Sequence, residues 1–216
     1  MIFVITGAPG AGKGTQAALM VEELGLAKLS TGDALRKQIK DGSEIGMQAK
    51  SFMDNGRLVP DDVLLGVLRA ELEKLDGQDI LLDGYPRNVA QAKTLENLSH
   101  VYPVAGVIHL KVGRETLLER LSGRRVCDSC GATYHTRYSP VLGDTCTQCG
   151  GTVVQRPDDR AEKVATRLDI YESETLPVLD FYRQKGIYSE VEGEADSNEV
   201  FRQVKDVLKK IASGTE

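Results

Sequence analysis

With 216 residues, 41% of them hydrophobic and 27% charged, the chain has the length and balance of one globular domain with insertions, and it lacks an apolar run long enough to span a bilayer. Its formal net charge of −5 argues against a general attraction to nucleic acid, so any polyanion has to be met by a local cluster of cations. Met1 to Ile5 has neither the basic start nor the length of a signal peptide, which makes the expected location cytoplasmic.

Ile2 to Thr6 is a continuous apolar run and predicts a short buried strand. It leads into GAPGAGKGTQ, Gly7 to Gln16, and then into a helix predicted over Lys13 to Leu24, with Ala17, Met20, Val21 and Leu24 on one face and Gly25 closing it. Successive glycines let backbone N–H groups turn inward around an anion, and the helix start adds the positive end of its dipole. Lys13 supplies a mobile ammonium beside them. The match to the phosphate-loop pattern G-x-x-x-x-G-K-[ST] is imperfect, because Gly14 stands at the hydroxyl position and Thr15 comes one residue late. An ordinary glycine-rich turn is the plain alternative, and the strand, loop and helix context argues against it.

Ser30 to Pro60 offers helical stretches but no strand candidate, and reads as an insertion. Asp61 to Leu75 predicts a helix introduced by Pro60, with Leu64, Val67, Leu68, Leu72 and Leu75 as its apolar stripe. Strands are predicted at Asp79 to Leu82 and Val104 to Leu110, with the helix NVAQAKTLENL between them, and a weaker strand at Gly186 to Val191. Asn198 to Ile211 carries Val204, Val207, Leu208 and Ile211 at helical spacing, with Asp196 and Glu199 placed to cap it. Strands alternating with helices predict an α/β fold: a parallel sheet of about five strands with helices on both faces.

Val126 to Gln155 breaks the alternation. Its Cys127, Cys130, Cys146 and Cys149 form two C-x-x-C pairs separated by fifteen residues, a spacing typical of zinc sites. In a reducing compartment metal ligation is favoured over disulfides. Four thiolates complete a tetrahedral shell, so the metal would be structural, replacing the core that an insertion of roughly 35 residues is too small to build. Iron or cobalt suits the same thiolates. His135 is close enough in sequence to compete as a ligand; with His100 and His109 it is assigned a structural or solvated role.

GAPGAGKGTQ resembles the loop of nucleoside monophosphate kinases, and nearly the whole chain resembles adenylate kinase of the long bacterial type, whose lid binds a metal through four cysteines. The resemblance implies a P-loop core at 1–29, 60–121 and 161–216, a helical monophosphate-binding insertion at 30–59, and a small β-rich zinc lid at 122–160. Gly10, Ala11, Gly12, Lys13, Gly14 and Thr15 would bind ATP together with Arg120 and Arg124. Gly14 is expected there, because the second nucleotide and the closing lid approach the loop.

LSTGDALR, MDNGRLVPD and LLDGYPRNVAQA resemble the AMP-binding segments. They imply AMP contacts from Thr31, Arg36, Met53, Val59, Gly84, Arg87 and Gln91, joined by Arg156 and Arg167. Lys13, Arg87, Arg124, Arg156 and Arg167 would surround the transferring phosphoryl group, with Asp83 holding water on Mg2+. The chemistry suits these types: a guanidinium donates two parallel hydrogen bonds to phosphate, and a carboxylate at a strand's carboxyl end lies where open α/β sheets bind ligands. For Thr31, helix capping is the competing role.

The implied reaction is MgATP plus AMP giving two ADP, by a monomer that uses structural Zn2+ and binds neither nucleic acid nor membrane. GEADSNEV, Gly193 to Val200, lacks the lysine and proline of the G-T-K-P-V-like segment that many relatives carry beside the donor adenine. A GTP:AMP or UMP/CMP kinase is the alternative within the class. Outside it stands a zinc-ribbon binding module controlled by a nucleotide.

Overall fold

The computed structural model describes residues 1–75, 77–98, 101–141 and 143–213. In chain order the elements are β1 (Ile2–Gly7), α1 (Lys13–Leu24), β2 (Ala27–Ser30), α2 (Thr31–Lys40), α3 (Glu44–Asp54), α4 (Asp61–Lys74), β3 (Ile80–Asp83), α5 (Val89–Asn97), β4 (Val104–Lys111) and α6 (Arg114–Gly123). Then come β5 (Arg124–Cys127), β6 (Thr133–His135), β7 (Val153–Val154), α7 (Ala161–Ile170), α8 (Leu176–Arg183), β8 (Tyr188–Glu192) and α9 (Ser197–Ser213). A 3-10 turn, Pro157–Asp159, precedes α7, and a π turn, Tyr171–Thr175, joins α7 to α8.

The continuous apolar runs are explained by a sheet buried on both faces, because successive residues of a strand point to opposite sides. Ile2, Val4, Ile80, Leu82 and Val107 pack to one side with Leu64 and Leu68 of α4, Ala92 and Leu95 of α5, and Val178 and Tyr182 of α8. Ile5, Leu81, Ile108, Leu110 and Val191 pack to the other with Ala17 and Met20 of α1, Leu117 and Leu121 of α6, Val164 and Leu168 of α7, and Val200, Phe201 and Val204 of α9. Among the described residues this sheet has five strands in the order β2-β3-β1-β4-β8, with all neighbours parallel. The expected class and layering are those observed.

Three local readings are corrected. β2 was unforeseen: this four-residue edge strand buries only Leu29, so it carries no periodicity to detect. In α1 the buried stripe is Gln16, Ala17 and Met20, while Val21 and Leu24, expected on the core face, are 36% and 41% exposed. At α9, Asp196 alone caps, accepting from the backbone N–H groups of Asn198 and Glu199 at 3.0 and 3.1 Å. The Glu199 carboxylate instead pairs with Arg202 at 2.6 and 2.9 Å, one turn along its own helix.

Two parts stand off the main sheet. α2 and α3 pack on each other between β2 and α4. β5, β6 and β7 form a separate antiparallel sheet in the order β6-β5-β7. The two parts touch: Lys40 Nζ of α2 donates to the Asp128 carbonyl at 3.2 Å. Arg167 of α7 also packs so closely on Gly56 that a Cβ there would lie 2.7 Å from its Cγ.

Candidate active site

The carboxyl ends of β1 and β3 set the floor of the site. After β1 the chain turns through Gly10 and enters α1 from Gly12, which stands at the helix N-cap in the left-handed region with φ 93°. No side chain caps this helix start, so its amide dipoles are presented to whatever anion occupies the loop. Gly10 lies against α6, where a Cβ would come within 2.9 Å of Leu121 Cγ. Nothing lies within 4 Å of a Cβ built on Gly14; among the described residues the protein itself does not crowd that position. Gly14 and Thr15 are exposed.

Lys13 is folded back along the loop, its Nζ donating to the Gly7 and Ala8 carbonyls at 2.7 and 2.9 Å. Burial lowers its ammonium to about 7, with Asp83 opposing the shift and Arg87, Arg124 and Arg167 adding to it. Those three arginines come from the β3–α5 loop, from β5 and from α7, and all are near enough to act on one lysine. Arg87 is itself lowered to about 10, by burial first and then by Arg167. Arg156 is lowered to about 10 by burial and by Arg36 and Arg124. Cations drawn from distant parts of the chain are thus held at one cleft against their mutual repulsion, an arrangement that favours a polyanion between them.

Carboxylates partly balance this charge. Asp159 is fully buried and accepts from Arg124 Nε at 2.6 Å, from a second Arg124 nitrogen, and from Arg167 Nη1 at 2.6 Å. Asp158 pairs with Arg167 at 2.9 Å. Although burial works against ionisation of Asp158, Arg167, Arg124, Arg36 and Arg156 hold its carboxyl below the usual range. Asp33 is likewise brought down to about 2, against burial, chiefly by Arg36; it pairs with Arg36, and Arg156 lies 3.9 Å away. Asp83, buried at the end of β3, faces Lys28 Nζ at 3.8 Å. Asp159→Ala would take from Arg124 its buried carboxylate partner and leave Arg167 with Asp158 alone, and is expected to cost about 3–5 kcal/mol in denaturant unfolding. A cost below about 1 kcal/mol would mean that the arginines simply turn to solvent.

A pocket opens beside this cluster, lined by Thr31, Gly32, Leu35, Met53, Arg57, Leu58, Val59, Leu64, Arg87 and Gln91. Met53 and Val59 supply an apolar wall of the kind a flat base packs against. Thr31 is not the helix cap: Ser30 fills that place, accepting from the Asp33 N–H at 3.3 Å. The Thr31 hydroxyl instead donates to the Gly84 carbonyl at 3.1 Å, tying α2 to the β3–α5 loop. Gln91 is committed within the protein, its Oε1 accepting from the Arg87 N–H at 2.7 Å and its Nε2 donating to Asp61 at 2.6 Å. One N–H of this amide remains for a base to read beside the bond to Asp61. Arg57 and Asp61 were not singled out from the sequence, although both lie inside or beside the MDNGRLVPD segment.

Arg120 stands apart from the other arginines. Its guanidinium donates to the Gly193 and Glu194 carbonyls at 2.9 and 3.4 Å, and Gln16 Nε2 donates to the Ser197 carbonyl at 2.9 Å. The segment that departs from the expected pattern is therefore anchored beside the glycine loop through its backbone.

Away from the cleft, the Sγ atoms of Cys127, Cys130, Cys146 and Cys149 lie within 4.8 Å of one another. The Cys127–Cys149 and Cys130–Cys146 pairs are 3.5 and 3.6 Å apart. Four sulfurs on one tetrahedral zinc, at bonds of about 2.3 Å, are about 3.8 Å apart, so the cluster fits the ion. The Tyr134 hydroxyl lies 3.1 Å from Cys146 Sγ, and this contact foremost lowers that thiol, while the neighbouring sulfurs push the Cys149 thiol up. Among the described residues His135 is not part of this cluster; its Nδ1 accepts from the Arg137 and Tyr138 N–H groups at 3.0 and 3.2 Å. His109 is buried between the Tyr171 and Tyr188 hydroxyls at 2.9 and 3.0 Å, and burial lowers it to about 4. His100 lies outside the described residues.

The family model described as adenylate kinase matches residues 5–187. An adenylate kinase of Geobacillus sp. (strain WCH70) is 46% identical over 212 residues, 96% of this chain and 98% of the relative. One from Methanosarcina mazei is 46% identical over 216 residues, 98% of this chain and all of the relative. One from Bacillus pumilus is 45% identical over 212 residues, again 96% of this chain and 98% of the relative.

Proposed function

The chain belongs to the adenylate kinase family, and from that premise we propose that its cation-lined cleft carries out reversible phosphoryl transfer, MgATP plus AMP giving two ADP, and so balances the adenine nucleotides. The observation that carries the assignment of the site is the convergence of Lys13, Arg87, Arg124 and Arg167 on one another beside a glycine loop. Gly10, Ala11, Gly12, Gly14 and Thr15 cradle the donor phosphates with Lys13, while Arg120 borders the donor base. Thr31, Met53, Val59, Gly84 and Gln91 take the AMP base side, and Arg36, Arg87, Arg156 and Arg167 its phosphate.

Phosphoryl transfer through a loose transition state asks little covalent chemistry of the protein, so alignment and charge stabilisation dominate. The AMP phosphate oxygen is already an anionic nucleophile and needs no general base. Arg87 and Arg36 orient it with planar, paired donors. Lys13, Arg124, Arg156 and Arg167 face the charge spread over the group in flight, and the parts that meet through Lys40 and Asp128 keep water away from it. The magnesium ion that accompanies ATP would supply charge neutralisation, and Asp83 would hold its water. Zinc on the four cysteines is structural. One chain holds every side chain of the site, which supports a working monomer, and thiols kept for a metal suit the cytoplasm.

The test is to mix the protein with MgATP, or with MgGTP in a parallel arm, and each nucleoside monophosphate in turn, and to follow the nucleoside diphosphates formed. ADP formed only with AMP is expected. Turnover with UMP or CMP would reassign the acceptor, and equal use of GTP would reassign the donor. ATP hydrolysis indifferent to monophosphate would replace the kinase by a nucleotide-controlled binding module.

A further inference from the structure

Between α7 and α8 the chain stays helical but widens into a single π turn, with the Leu176 N–H reaching back to the Tyr171 carbonyl. Pro177 follows directly; it has no N–H to give to the turn before it, and its ring pushes against the carbonyl four residues back. Turns of this kind accommodate an extra residue in a helix and re-aim the side chains around it. Three side chains of this turn reach other parts of the protein. Glu172 accepts from Arg114 of α6 at 2.6 Å on the surface. The Tyr171 hydroxyl meets His109 Nε2 on β4 at 2.9 Å. Thr175, buried at 6% exposure, donates its hydroxyl to the backbone carbonyl of Arg87 at 2.8 Å.

That carbonyl belongs to a residue outside any strand or helix. Its N–H donates to Gln91 Oε1 at 2.7 Å, and its guanidinium Nε donates to the Gly84 carbonyl at 2.7 Å. Both backbone polar groups of Arg87 are therefore held by side chains, one four residues ahead and one 88 residues ahead. A buried threonine in a helix commonly returns its hydroxyl to a carbonyl of its own preceding turn. Thr175 reaches out of its helix instead, and the target is the arginine at the centre of the cation cluster.

We infer that Thr175 is a positioning residue for the transfer reaction: from the π turn its hydroxyl fixes the backbone of Arg87, and so fixes where that guanidinium meets phosphate. The inference rests on the reading of Arg87 as a phosphate-binding residue. It predicts an effect out of proportion to one neutral hydrogen bond, because small displacements of a group aligned with the reacting atoms cost up to about a hundredfold in rate.

The experiment compares Thr175→Val, which keeps the shape and removes the donor, with Thr175→Ser, which keeps the donor and removes the methyl group. Thr175→Ala serves beside valine in case the valine variant folds poorly. The valine variant is expected to lower kcat/KM for AMP by about tenfold, raising the KM for AMP and leaving that for ATP unchanged, while serine restores both values to within about twofold. A loss of folded molecules would lower kcat and move neither KM. Valine and alanine variants within twofold of the parent, or a serine variant as impaired as valine, would overturn the inference. Arg87→Ala assayed in parallel separates the two claims: if it remains active, the role of Arg87 itself fails, whereas an inactive Arg87→Ala beside a normal Thr175→Val removes only the role of Thr175.

Discussion

Lys13→Ala is expected to lower kcat by about 10²- to 10³-fold, the usual loss when a preorganised donor to developing charge is removed, while the melting temperature stays within a few degrees. The reason for retained stability lies in the same geometry that makes the lysine useful. Burial holds the ammonium at about 7 in the folded protein against an ordinary value of 10.5, so the folded state binds this proton less tightly than the unfolded chain does. Below about pH 7 the charge is therefore a burden on the fold, relieved as the pH rises toward 10.5, and truncation removes that burden along with two hydrogen bonds to carbonyls.

Bound phosphates reverse the preference, because negative charge nearby favours the ammonium. At about pH 8 donor binding should take up protons, and donor affinity should fall as the pH rises from about 7 toward the raised value in the complex, levelling off beyond it. Calorimetry in buffers of different ionisation enthalpy measures the uptake, which should shrink in Lys13→Ala. Near-normal turnover in the variant, or collapse of its fold, would contradict the assigned role.

What could be read in advance follows the range of each interaction. β1, its glycine loop and α1 are local, and GAPGAGKGTQ with an apolar run before it declares them. The cysteine cluster is likewise declared by spacing, since two C-x-x-C turns need only one chain reversal to meet. β2 was hidden because an edge strand with one buried residue needs no apolar pattern; its pairing with β3, Ala27 with Ile80 through Ser30 with Asp83, holds it instead. Asp158 and Asp159 are neighbours in sequence, but the fold divides their labour: Asp159 is the one buried between Arg124 and Arg167, 35 residues before it and 8 after it. No period or motif encodes such a partnership. Thr175 shows the same limit, since its partner, the Arg87 carbonyl, lies 88 residues away in sequence and is chosen by the fold.

Replacing Cys146 and Cys149 together by serine, or removing the metal with a chelator, should lower the melting temperature by about 6–20 °C while leaving low-temperature turnover much less affected. The small sheet has little else to hold it. Its own core comprises Cys127, Tyr134, Cys146 and Val153, with Ala132 and Val141 packed against it, and two of those four buried residues belong to the cysteine cluster that fits a metal. Strands of two to four residues are marginal without a larger core. Metal binding therefore becomes folding free energy for this part of the chain. A loss of about 3–5 kcal/mol at about 2–4 °C per kcal/mol for a chain of this size gives the expected shift. Chemistry is spared at low temperature because no cysteine faces the cleft, yet Arg124 begins β5 and Arg156 follows β7, so when the small sheet melts both cations leave the cluster and turnover has to stop with it. The inactivation temperature should accordingly track the metal content, with the parent and the stripped protein differing by the same interval in melting and in activity. A protein that loses its metal in full and melts unchanged would show that the thiolates hold up nothing, and the structural reading of the four cysteines would have to be given up.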